Sequence, residues 1–224
     1  MKNKILIALC GLLFLNNYNL EAKDIQKVEE WKIQNDPYYK HKKSQFEVLM
    51  NNSKYTTMML GDSITDEGRW DELLNNNSVQ NRGISGDTTS GVLDRLSTVS
   101  PSIKQVFIMI GVNDIMRGKS ENEVFENYKK IIKFFEEKNI KVHIQSTLYI
   151  GETRKQSFNP KIEKLNEKLK DFAQNNNNID FIDLNPIFAP NKVLKSEFTT
   201  DDLHLNGKAY TLWVKEIEKY IDLL

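Results

Sequence analysis

From Tyr55 onward the chain alternates short apolar runs with longer amphipathic stretches, and this rhythm restricts its fold more than any other feature. The runs 55–60, 79–81, 105–110, 141–147 and 179–182 have strand length and strand composition. Between and after them, 67–76, 88–98, 121–138, 158–175 and 207–222 carry helical spacing. In 121–138, Val124, Tyr128, Ile131, Ile132 and Phe135 recur at intervals of three and four, which makes one apolar stripe to lay on a sheet. Ser120, with Glu123 three positions on, predicts a capped start for that helix. Strands separated by crossover helices predict an α/β fold: three layers, with a five-stranded parallel sheet flanked by helices. Sheets of this kind bind their ligands at the carboxyl ends of the strands.

The first residues follow a different rule. Met1-Lys2-Asn3-Lys4 precedes an apolar run over 5–15 and a polar segment ending in Ala22. A charged start, a short apolar run and a small residue at the end describe a secretory signal peptide over 1–22, cleaved after Ala22. The run is short for a membrane span, so an uncleaved anchor is the weaker alternative, and no integral span is expected after cleavage. Cys10, the only cysteine, has Leu9 before it, where a lipid-attachment site needs a small residue. The expected organisation is therefore a signal over 1–22, N-terminal helices over 23–54 interrupted near Asn35-Asp36-Pro37, and the sheet-bearing domain over 55–224. Apolar positions Phe46, Val48 and Leu49 mark the buried side of the second helix. Export to the periplasm or medium follows as the expected localisation.

Composition removes several classes of function. The 31 basic and 31 acidic residues balance, and loss of Lys2, Lys4 and Glu21 with the signal leaves a net charge of −1. Such a chain has no basic field for nucleic acid. Without a cysteine beyond Cys10, the mature chain has no disulfides, thiol nucleophile or thiolate metal ligands. Small molecules, glycans and other proteins remain as partners.

Three glycine-containing peptides follow the first three predicted strands: Gly61-Asp62-Ser63, Gly83-Ile84-Ser85-Gly86-Asp87 and Gly111-Val112-Asn113-Asp114. All three fall on the edge where ligands bind. Ser63 stands at a strand-to-helix turn, where it can cap a helix or, with free N–H groups beside it, serve as a nucleophile. Gly86 allows close backbone approach, and Asn113 offers a neutral amide donor. Near the end of the chain, Asp201 precedes His204 by three residues, a spacing that lets a carboxylate orient an imidazole. His41 reads as a surface residue and His143 as a packed one, while Asp202 reads as structural or solvent-facing. No Gly-x-Ser-x-Gly elbow is present, which argues against an α/β-hydrolase.

In order and spacing, these four blocks resemble the SGNH (GDSL-type) hydrolases over about 59–210, with Ser63, Gly86, Asn113 and His204 at the naming positions. The stretch from Asn81 to Thr89, with Arg95-Leu96 downstream, is similar to the branch of platelet-activating-factor acetylhydrolase catalytic subunits and bacterial sugar O-acetylesterases. The resemblance implies a flavodoxin-like sheet and carboxylic-ester hydrolysis with neither metal nor organic cofactor. It implies a Ser63, His204 and Asp201 triad, with Ser63, Gly86 and Asn113 forming the oxyanion hole. Together with the export signal, it points to O-acetyl groups on a carbohydrate. Acyl transfer to glycans, lysophospholipase or thioesterase action, and an idle glycan-binding module are the competing readings. Trp70, Arg82, Tyr149 and Arg154 are the candidates for lining the substrate pocket.

Overall fold

A computed structural model describes residues 31–52, 54–154 and 156–221. The predicted signal over 1–22 and most of the first N-terminal helix lie outside the described residues. At the expected interruption, a 3-10 turn (Ile33–Asn35) is followed by helix α1 (Pro37–Leu49). The Asp36 carboxylate caps α1 by accepting from the N–H groups of Tyr38 and Tyr39 at 2.8 and 3.2 Å, and Pro37 needs no such partner. Tyr39 and Phe46 face inward with Ile33 and Ile84, whereas Val48 and Leu49 are exposed, contrary to the predicted stripe. Burial beneath α1 is set by the small Ile33–Ile84 cluster, which reaches only one side of the helix.

The sheet elements then follow: β1 (Thr57–Gly61), the single turns α2 (Ser63–Asp66) and α3 (Trp70–Leu73), β2 (Val79–Gly83) and α4 (Thr89–Asp94). Next come β3 (Gln105–Met109), α5 (Val112–Met116), α6 (Glu121–Glu136) and β4 (Lys141–Gln145). The chain closes with α7 (Asn159–Gln174), β5 (Ile179–Ile182), α8 (Asn185–Phe188) and α9 (Gly207–Ile221). All five strands are parallel, in the order β2-β1-β3-β4-β5. Helices α4, α6 and α7 pack together on one side, and α9 packs with α3. The expected three-layer α/β sandwich is thus the observed fold. The α6 stripe from Val124 to Phe135 is fully buried, and Ser120 and Glu123 form the reciprocal cap at its start.

The helix predicted over 67–76 is reduced to the single turn α3, preceded by the separate turn α2. The Asn81 amide of the neighbouring strand donates to the carbonyl groups of Thr65, Asp66 and Gly68 at 3.0, 2.9 and 2.9 Å. Those carbonyls would otherwise accept bonds from the next helical turn, so a side chain of β2 ends the helix. Strand order reverses around β1: the chain leaves it for β2 on one side and returns to β3 on the other. A crevice opens at such a switch point. The peptides carrying Ser63, Gly86 and Asn113 end the three strands that border it.

Candidate active site

Ser63 begins α2 directly after β1, so its position is set by the way the chain leaves the sheet. Gly61 makes that exit possible: a Cβ there would lie 2.2 Å from Thr65 Oγ1 and 2.3 Å from the Met109 carbonyl oxygen. The Asp62 carboxylate then caps α2, accepting from the Ile64 N–H at 3.1 Å. Tyr210 of α9 donates its hydroxyl to the Ile64 carbonyl at 2.7 Å, which ties the late helix to the serine turn.

This tie brings the loop before α9 over Ser63. His204 Nε2 lies 2.9 Å from Ser63 Oγ, and His204 Nδ1 lies 2.8 Å from Asp201 Oδ2. The remaining Asp201 oxygen accepts from the backbone N–H groups of His204 and Leu203 at 2.8 and 3.1 Å. Partial burial raises the Asp201 carboxyl, but the hydrogen bonds from His204 and Leu203 outweigh it and hold the group well below the usual carboxylate range. Asp201 is therefore an anion at any pH where the imidazole can act as a base. Glu67 stands on the other side of the ring, with Oε1 4.0 Å from His204 Nε2.

The second and third peptides are joined to the first by a buried network. Arg95 donates through Nε to Asp87 Oδ2 at 2.9 Å and through Nη2 to the Gly61 carbonyl at 3.2 Å, and Nη2 also lies 2.8 Å from Asp87 Oδ2 as an ion pair. Asn113 Nδ2 donates to the Asp87 carbonyl at 3.0 Å, which uses one of the two amide hydrogens. Asp114 accepts from the Thr89 N–H and hydroxyl. Gly86 has φ +76, in the left-handed region that favours glycine, and a Cβ there would meet only ordinary contacts. Burial pushes Asp62 up to about 7 and Asp87 up to about 6, with mutual repulsion among Asp62, Asp87 and Asp114 adding to it.

Thus the structure brings Ser63, Asp201 and His204 into one hydrogen-bonded series, and the loops bearing Gly86 and Asn113 meet beside it through Asp87. It does not bring the four pocket candidates together there. Trp70 is 1% exposed, packs edge-on against Tyr210 and Trp213, and donates Nε1 to the Thr65 carbonyl at 2.8 Å. Its amphipathic ring is consumed by the core. Arg82 stacks on Phe46 at 4.5 Å and borders a separate cavity of about 240 Å³ with Lys54, Tyr55, Asp71 and Gln80. Tyr149 is buried beside α7, where loss of solvent and the charges of Glu163, Asp183 and Glu167 push its hydroxyl up to about 12. Arg154 lies near the site but pairs with Asp201, at 2.9 Å from Nη2 to Oδ2.

As expected, His41 is exposed. His143 is buried in β4, stacked on Phe107 at 4.4 Å and lowered to about 4 by that burial. Among the residues the motifs did not reveal, Asn159, Asn166 and Asn185 hold the segment after β4. Their side chains bond the backbone of Ile150, Thr147 and Tyr149 respectively. The one available signal was polar Asn166 within the apolar stripe of α7.

A sequence model of the GDSL-like Lipase/Acylhydrolase family matches residues 59–212. An N-acylneuraminate cytidylyltransferase of Streptococcus agalactiae is 28% identical over 172 residues, 76% of this chain. The chain spans 40% of the length of that relative. A platelet-activating-factor-like protein from Streptococcus pneumonia has a solved structure that superposes with a TM-score of 0.76 at 25% identity, covering 82% of this chain and 92% of the other. An acetyl-xylooligosaccharide esterase from Geobacillus Stearmophilus shares the fold, with a TM-score of 0.61 at 18% identity over 76% of this chain and 95% of the other.

Proposed function

We propose that this chain, which belongs to the GDSL-like lipase/acylhydrolase family and is a carboxylic ester hydrolase, splits its esters through a covalent acyl group on Ser63. The observation that carries this reading is the pair of hydrogen bonds from Ser63 Oγ to His204 and from His204 to Asp201. Ser63 Oγ attacks the ester carbonyl while His204 Nε2 takes its proton, and Asp201 stabilises the imidazolium that results. The backbone N–H groups of Ser63 and Gly86 and the second amide hydrogen of Asn113 stabilise the tetrahedral oxyanion. Collapse expels the alcohol with the proton held by His204. Water, deprotonated by His204, then attacks the acyl-serine and releases the carboxylic acid.

The substrate class we infer is a short-chain ester, an O-acetyl group on a carbohydrate. Glu67 approaches His204 Nε2 at 4.0 Å, and the loops that meet at Asp201 carry the polar and charged side chains of Thr153, Arg154 and Asp202. Such a rim suits a hydroxyl-rich alcohol better than a lipid chain. A relative named for N-acylneuraminate and a neighbour of like fold named for acetyl-xylooligosaccharides support the same choice. Export, inferred from residues 1–22, would bring the enzyme to glycans outside the cytoplasm.

Ser63→Ala tests the mechanism. Turnover of p-nitrophenyl acetate should fall by about 10³-fold or more with the fold intact, and a fluorophosphonate probe should label wild type but not the variant. Near-normal turnover by the variant would end the assignment. Acetate release from acetylated oligosaccharides, compared with butyrate and palmitate esters, tests the substrate class. Preference for the long acyl chains would overturn it.

A further inference from the structure

Asp201 is unusually well supplied with donors for a partly exposed carboxylate, and one of them is a guanidinium. His204 Nδ1 and Arg154 Nη2 both reach Oδ2, at 2.8 and 2.9 Å, while Arg154 Nε donates to the Asp201 carbonyl at 2.8 Å. With Oδ1 occupied by two backbone N–H groups, the carboxylate has little freedom to rotate away from the ring.

Arg154 is itself held from the other side. The Gly151 N–H donates to the Asp202 carbonyl and the Thr153 N–H to Asp202 Oδ2, each at 2.8 Å, and the Thr153 hydroxyl joins the same oxygen. Asp202 adopts φ +64, and a Cβ on Gly151 would lie 2.3 Å from its Oδ1, so the two loops meet without slack. The loop after β4 therefore acts as a brace on the loop bearing the histidine, although 47 residues separate Arg154 from Asp201.

We propose that Arg154 is a positioning residue of the hydrolase site: it fixes the Asp201 carboxylate against His204 and, by sharing Oδ2, sets the pH at which the imidazole becomes a free base. The inference rests on the triad reading above. Surface ion pairs commonly contribute little, and both partners here are about one-third exposed. Two features separate this pair from that background. The guanidinium grips the Asp201 backbone carbonyl through Nε and Oδ2 through Nη2, which fixes the carboxylate relative to its own backbone, and its charge falls on the atom that stabilises the imidazolium. Among the described residues, Glu67 lies 4.0 Å from Nε2, and Asp202, adjacent in sequence, repels Asp201. Both are anionic. Arg154 is thus a cation set among the carboxylates of Asp201, Asp202 and Glu67, and its removal favours the protonated ring.

The expected outcome is a displaced pH profile. Replacing Arg154 by Gln should move the acidic limb of kcat/KM for p-nitrophenyl acetate to higher pH by about half a unit, roughly a threefold loss of activity on that limb. Arg154→Lys keeps the charge without the two-point contact, so its limb should stay near that of wild type while the plateau falls. The downfield proton resonance of the His204 Nδ1–H should shift in Arg154→Gln, which gives a readout that does not require turnover. A limb and a resonance both unchanged in Arg154→Gln would overturn the proposal and leave Arg154 an ordinary surface residue. Failure of the triad reading is distinct: wild type would then remain unlabelled by fluorophosphonate, whatever the Arg154 variants do.

Discussion

Replacing Arg95 by Met should destabilise the protein in a way that depends on pH, because the residue lost is the cation that faces a buried carboxylate. Arg95 is 2% exposed and Asp87 fully buried, and two guanidinium nitrogens reach Asp87 Oδ2 at 2.9 and 2.8 Å. Even so, burial pushes Asp87 from 3.8 up to about 6. Two units correspond to about 3 kcal/mol acting against the folded state once the group is ionised. The raised value means that this cost is absent below the unfolded pKa near 4, grows as pH rises, and is complete above the folded pKa. Without Arg95 the folded value rises further, so the cost keeps growing past pH 6. By pH 8 the variant should have lost a further ~3 kcal/mol on this account. Loss of the bond to the Gly61 carbonyl, at 3.2 Å, adds about 1 kcal/mol at every pH.

Urea unfolding should therefore show the variant about 4 kcal/mol less stable than wild type at pH 8 and only about 1 kcal/mol less stable at pH 5, where Asp87 is largely protonated in both. Adding Asp87→Asn to Arg95→Met should abolish the difference between the two pH values. Equal losses at pH 5 and pH 8 would refute the electrostatic reasoning and reduce Arg95 to a space-filling side chain.

Other variants separate positioning from packing. Gly86→Ala meets only ordinary contacts, at 3.6 Å from Arg117 Nη2 and 3.8 Å from Ile33, so its cost of about 1–2 kcal/mol should come from the φ of +76 alone. By turning the residue-86 N–H, it should also lower kcat about tenfold with KM little changed, as steady-state kinetics would show. Trp70→Phe removes the Nε1 bond to Thr65 and part of the contact with Trp213; thermal unfolding should register a loss of about 1–2 kcal/mol. Its KM for acetyl esters should equal that of wild type, and a large rise would restore Trp70 to the substrate pocket.

Reading the sequence worked best where one rule governs one stretch. The spans of α6 and α7 follow from apolar periodicity, because each buries a continuous stripe, and β5 follows from a short apolar run. It worked less well at β2, which runs two residues beyond its predicted end through Arg82 and Gly83. There the polar side chains of Asn81 and Arg82 serve neighbouring elements, so composition conceals a strand. Single turns such as α5 and α8 were missed because four or five residues carry too little periodicity to register.

Local chemistry therefore determined the order of strands and helices, the capped start of α6, and the peptides that end the strands at the switch point. Strand alternation and turn residues act over a few positions, and a single chain displays them openly. The tertiary structure alone decided which polar groups meet beyond Ser63, His204 and Asp201. It turned Trp70 and Tyr149 inward, set Arg95 against Asp87, and closed the loop of Arg154 onto Asp201. Those encounters join segments up to dozens of residues apart, and their geometry comes from the packing of the whole sheet, which no short window of sequence contains.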